Sequence, residues 1–180
     1  MTTFVFDENE TYNLLLDYCI FRMNCSSLKQ SILDKFLCMT PSENARKMRF
    51  LSWRWAGALK SWPKLTNGQD FCVENYYEYA NCFGNSLKTL KSLKPEHIYM
   101  YFEFTSVLCV SALSTPINTS KIEDICKYAC YFLHQQEVFQ GFIQEYQGWS
   151  NFLHKQYAIA KTGQHELFAY WLETVAFESL

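Results

Sequence analysis

The residues in this chain with the chemistry for proton transfer are four histidines (His97, His134, His154 and His165) and the carboxylates Glu96 and Glu103. General acid–base work needs such groups to converge on one substrate atom. Their spacing offers no convergence. His154 and Gln156 border a Trp-bearing segment with no acid at catalytic distance in sequence. A Gly-rich phosphate loop and a nucleophile elbow are both missing. Four histidines in a chain of 180 residues need no special purpose, so each is expected at the surface or partly buried, and the protein is expected not to be an enzyme. Glu103 is the most informative acid, because it stands alone in an apolar stretch. One helix rotation decides whether it faces the core or the surface.

Thiol chemistry is the second candidate. Eight cysteines occur, with no Cys-x-x-Cys pair among them. Cys126 and Cys130 stand four apart on an expected helix, with no His or second Cys pair at zinc spacing. The expectation is free, mostly buried thiols in a reducing compartment, with no metal and no cofactor. The opening residues MTTFVFDENETYN carry no basic stretch followed by an apolar run, so they do not read as a secretory leader. Asn24-Cys25-Ser26 and Asn118-Thr119-Ser120 then read as chance matches to the glycosylation pattern.

The elements that must hold these residues are helices. Hydrophobic residues make up 49% and aromatics 18%, which implies a packed domain and excludes disorder. Gly and Pro number only 6 and 4, too few for the turns of an all-β protein. The net charge of -2 leaves no electrostatic footprint for nucleic acid.

Helical spacing of Leu14, Tyr18 and Phe21 predicts a helix over 13–24, followed by a short one over 27–38. Thr40-Pro41-Ser42-Glu43 is a helix-start signal for a helix running to about Ser61, with Met48, Leu51, Trp55, Leu59 and Trp62 as its stripe. Asp70 can cap a long helix bearing Val73, Tyr77, Ala80, Phe83, Leu87 and Leu90. Pro95 restarts the chain, and 98–113 is apolar all round. At under the roughly 20 residues needed to span a bilayer, that stretch reads as a buried central helix. Ser120 can cap a helix over 121–135, and further helices are expected near 138–146, 149–159 and 164–177. The result is one all-α domain over 1–180, of eight or nine helices around a central apolar one.

Three segments of this pattern, in order, resemble the Bcl-2 family of apoptosis regulators. The clearest is FIQEYQGWSNFLHKQY over 142–157. It is similar to the second homology motif of that family, Trp-Ile-Gln-Glu-x-Gly-Gly-Trp-x-x-Phe. Ile143, Gln144, Glu145, Gly148, Trp149 and Phe152 match, while Phe142 and Gln147 replace Trp and Gly. Gly148 can take the conformation that ends one helix, and Trp149 then starts the next. LLLDYCIFRM over 14–23 resembles the fourth homology motif of the first helix, through Leu15, Asp17 and Tyr18 with Arg22 five positions after the acid. The stretch from Phe102 through Val110 resembles the family's central helix.

The resemblance implies a hydrophobic groove that receives the amphipathic death-promoting (BH-three) helix of a pro-apoptotic partner. Phe83 and Leu87 are expected on one wall, Met100 and Phe104 on the floor, and Glu96 and His97 at the polar edge, with the Trp149 segment closing one end. Two departures modify this. The family's Asn-Trp-Gly-Arg falls on Lys94-Pro95-Glu96-His97, so the Arg that pairs with the ligand's Asp is missing. His97 is a weaker, pH-dependent substitute, and Arg54 or Lys94 is an alternative. Trp53-Arg54-Trp55-Ala56-Gly57-Ala58 occupies the place of the third motif without its acid, which favours a pro-survival receptor over a self-associating effector.

A monomeric, cytoplasmic protein is implied, with peripheral association at the mitochondrial outer membrane or endoplasmic reticulum. The alternatives are a pro-apoptotic member that permeabilises the outer mitochondrial membrane, and a helical adaptor unrelated to apoptosis. Glu166–Leu180 is too short and polar to serve as a membrane anchor.

Overall fold

The computed structural model describes residues 7–25, 42–55, 87–88, 90–113 and 119–162. Those residues contain six helices and no strand: α1 Glu8–Cys25, α2 Glu43–Trp53, α3 Pro95–Leu113, α4 Thr119–His134, α5 Glu137–Tyr146 and α6 Trp149–Thr162. The expected helices over 27–38 and 164–177, and nearly all of the long helix after Asp70, lie outside the described residues.

Local rules explain several ends. α1 begins five residues before the expected start at 13, with Glu8 and Glu10 in its first turn and Arg22 in its last, each favourable to the helix dipole. Ser42 caps α2, its hydroxyl accepting the Ala45 N–H at 3.1 Å. That helix stops at Trp53, short of the expected Ser61. A Trp55 N–H to Ser52 carbonyl bond at 3.0 Å tightens its end into an i, i+3 turn. Pro95 occupies the first position of α3, where a missing N–H costs nothing. Thr119 already belongs to α4, so Ser120 lies inside that helix and is not its cap.

The described helices share one core. α1 packs against α2, α3 and α4, and α2 packs against α3 and α6. α5 links α4 to α6. Along α3, Ile98, Tyr101, Phe102, Phe104, Leu108 and Cys109 are all buried, so a helix that is apolar all round does sit inside the others. α1 is nearly as enclosed: Leu15, Tyr18, Cys19, Phe21 and Met23 have no exposure at all. No helix among the described residues is long and apolar enough to cross a membrane.

Candidate helix-binding site and its polar supports

The α5–α6 corner carries the segment that resembles the second homology motif. α5 ends in a Schellman arrangement: the Gly148 N–H bonds the Ile143 carbonyl at 3.1 Å, and the Gln147 N–H bonds the Gln144 carbonyl at 3.3 Å. Gln147 takes the left-handed conformation at φ 62, and Gly148 follows at φ 103. Two consecutive positive φ values explain why a Gly-Gly pair suits this turn, and why Gln147 carries strain there. The Gly148 carbonyl then accepts the Phe152 N–H at 3.2 Å, which opens α6 with Trp149 as its first residue.

Trp149 is buried and reaches three other helices. Its indole N–H donates to the Thr11 hydroxyl oxygen of α1 at 2.8 Å. Its ring packs edge-on to Phe102 of α3 and tilted against Phe139 of α5, with centroids 5.8 and 5.9 Å away. Phe152 extends the cluster to Phe142, Tyr146 and Tyr99. The buried Thr11 oxygen also lies 2.8 Å from His134 Nε2 on α4. An indole only donates, so the Thr11 oxygen accepts from Trp149, and the tautomer of His134 sets which way the second bond runs. Burial lowers the His134 pKa and favours the neutral ring, against the opposing pull of Glu8 and Asp7.

Asp17 and Tyr18, from the segment resembling the fourth motif, bind neighbouring helices. Asp17 accepts a bidentate pair from the fully buried Arg49 of α2, at 2.9 Å from Nε and 2.5 Å from the terminal nitrogen. Tyr18 donates its hydroxyl to Glu103 on α3. Arg22 binds the other Glu103 oxygen at 3.0 and 2.8 Å, and its guanidinium lies over the Trp53 ring. Glu103 therefore faces the core, with no exposure. Burial raises its pKa, and Arg22 and Tyr18 only partly offset that. Leu15 beside them is core. Sequence reasoning found Asp17, Tyr18 and Glu103 but missed Arg49. An Arg next to the apolar stripe, one position after Met48, was its signal.

The groove candidates separate by burial. Leu87 and Phe104 are buried, whereas Met100, Glu96 and His97 at the start of α3 are half-buried. Phe83 lies outside the described residues. His97 Nδ1 accepts the Lys94 N–H at 2.9 Å, so His97 serves as a cap for its own helix and its free donor is Nε2–H. Burial also lowers its pKa. Arg54, exposed after α2, and Glu96 both act electrostatically on Tyr99 one turn into α3. Tyr99 is buried, and its hydroxyl has no hydrogen-bond partner among the described residues. His154 is exposed, and His165 lies outside the described residues.

An open pocket of about 410 Å³ lies beside α5, lined by Lys91, Leu93, Glu137, Gly141, Phe142 and Glu145 among others. Cys19, Cys109, Cys126 and Cys130 are free thiols and buried.

No family model, curated protein or solved structure matches the chain.

Proposed function

We propose that this chain is a helix-binding protein of the Bcl-2 type, with eight or nine helices in its full fold. It holds the amphipathic death-promoting helix of a pro-apoptotic partner in a hydrophobic groove and so favours cell survival. The observation that carries this reading is the Gly148–Trp149 corner. Its motif residues form a tight two-residue turn between helices, and the Trp ties three other helices together. The enclosed α3 supports the same reading. An amphipathic helix recognised this way inserts apolar anchors at i, i+3 or i+4, and i+7.

The protein acts by binding and not by catalysis, as a monomer in the cytoplasm that associates peripherally with the outer mitochondrial membrane or endoplasmic reticulum. The polar edge is where this groove departs from its relatives in kind. His97 has one nitrogen committed to its helix start and offers a single neutral donor. Arg54, which acts electrostatically on Tyr99, is the cation proposed to meet a ligand carboxylate.

Calorimetry against a panel of death-promoting helical peptides tests the reading. One-to-one, saturable binding to at least one of them is expected; no binding to any of them overturns it. Replacing the ligand's Asp with Ala is expected to cost less than about 1 kcal/mol, as for an exposed ion pair. Dye release from liposomes after activation would favour a pore-forming member instead.

A further inference from the structure

Three thiols from three helices meet in the core. Cys19 of α1, Cys109 of α3 and Cys126 of α4 place their sulfur atoms all within 4.8 Å of one another, and each is buried. Cys19, Cys109 and Cys126 are 0% exposed. They lie far apart in sequence and match no metal-binding spacing, so only the packing of α1, α3 and α4 brings them together.

We propose that Cys19, Cys109 and Cys126 form a three-sulfur site for a soft, closed-shell metal ion, Zn(II) or Cu(I). Thiolate donors select such ions over hard ones, which take oxygen ligands. The dimensions agree. With metal–sulfur bonds of roughly 2.3 Å, three sulfurs around an ion in their plane stand about 4.0 Å apart. The sulfurs therefore need to draw in by less than about 1 Å, within reach of Cys rotamers on fixed helices.

Each metal–sulfur bond replaces an S–H bond, and the proton leaves to solvent. The ion brings the positive charge that a cluster of buried thiolates requires. Glu123, which acts on Cys126, adds negative charge and increases that requirement. Since the sulfurs have no exposure, the ion enters while the three helices assemble, and it holds α1, α3 and α4 to one another as a structural centre. Cys130, one turn after Cys126, is not one of the three: its thiol donates to the Glu8 carbonyl at 3.3 Å.

The full chain, reduced and refolded with Zn(II), or with Cu(I) under anaerobic conditions, tests this. One tightly held ion per chain is expected after dialysis, with the two arms showing which ion the site prefers. A variant with Cys25, Cys38, Cys72, Cys82 and Cys130 changed to Ser should keep that stoichiometry. Cys109→Ala should weaken binding by more than about a hundredfold, beyond the loss that outer-shell changes cause. If that variant does not fold, X-ray absorption of the loaded five-serine variant still decides the question. An all-sulfur first shell near roughly 2.3 Å is expected. No retained ion in either arm, retention by Cys109→Ala, or a first shell of nitrogen and oxygen overturns the proposal.

Discussion

The Trp149 corner and the Asp17–Glu103 side of the bundle both join α1 to other helices, but by opposite physical means. The corner is aromatic. Its polar path from the Trp149 indole through Thr11 to His134 is a neutral one. The other side is ionic. Arg49 is held by Asp17 and Arg22 by Glu103, with Tyr18 as a second donor to Glu103. Aromatic packing yields stability from contact area and dispersion. Buried ion pairs return most of their attraction as desolvation cost, and a charge that loses its partner is heavily penalised. The corner thus holds Gly148 and Trp149 by contact, and the ionic side penalises any rotation of α1, α2 or α3 that parts a charge from its partner.

The largest expected effect is at the corner. Trp149→Ala should destabilise the fold by about 4 kcal/mol, measured by denaturant unfolding, because it opens a cavity among four helices. Trp149→Phe should cost well under half of that, since Thr11 keeps His134. Equal losses for the two variants would mean that the hydrogen bond, and not ring volume, dominates.

The ionic side should respond asymmetrically. Asp17→Ala should cost about 3 kcal/mol, since it takes a bidentate acceptor from a fully buried guanidinium. Arg49→Met should cost less, because Asp17 retains some contact with water at 18% exposure and the Met fills the apolar space. A larger loss for Arg49→Met would refute the account of that pair.

A third contrast lies in pH. His134 has a folded pKa below its ordinary 6.5. Its contribution is full above that value and is lost as the pH falls through it toward the lowered one. Glu103 has a folded pKa above its ordinary 4.5. Its contribution is full below 4.5 and is lost as the pH rises through the raised folded value. Stability profiles of His134→Asn and Glu103→Gln, each subtracted from the parent, should therefore slope in opposite directions. Parallel slopes would remove the distinction between the two regions.

The smallest effect is at the turn itself. Gln147→Gly should stabilise by about 0.5 to 1 kcal/mol by relieving a left-handed residue with a Cβ. Gly148→Ala should destabilise despite open space around the added methyl, because φ there is 103. Thermal unfolding of the two variants reads both signs.

Much of the helical order was legible along the chain. The α3, α4, α5 and α6 limits fall within a few residues of those expected, because their start and stop signals are local: Pro95 at a first position, and Gly148 after the last turn of α5. The α2 end was not legible. Trp55, Leu59 and Trp62 continue the apolar period, yet the helix closes at Trp53 through a backbone bond that no periodicity encodes. For the candidate site, the motif residues Gly148, Trp149 and Phe152 were visible in sequence, but their reach was not. That Trp149 meets Thr11 and Phe102 depends on how α6 sits on α1 and α3.

The sequence by itself determined that this protein is helical and that α3 would be apolar on every side, because the period of 3.6 residues is a property of each segment alone. It also determined that the four histidines share no catalytic spacing with Glu96 or Glu103. Only the tertiary structure decided that Glu103 faces inward to Tyr18 and Arg22, that Arg49 belongs to Asp17, and that Cys19, Cys109 and Cys126 share one point. Each of those depends on the rotation of one helix against another. A turn of about 100° per residue moves a side chain from core to surface, and the packing of all the helices together selects that angle.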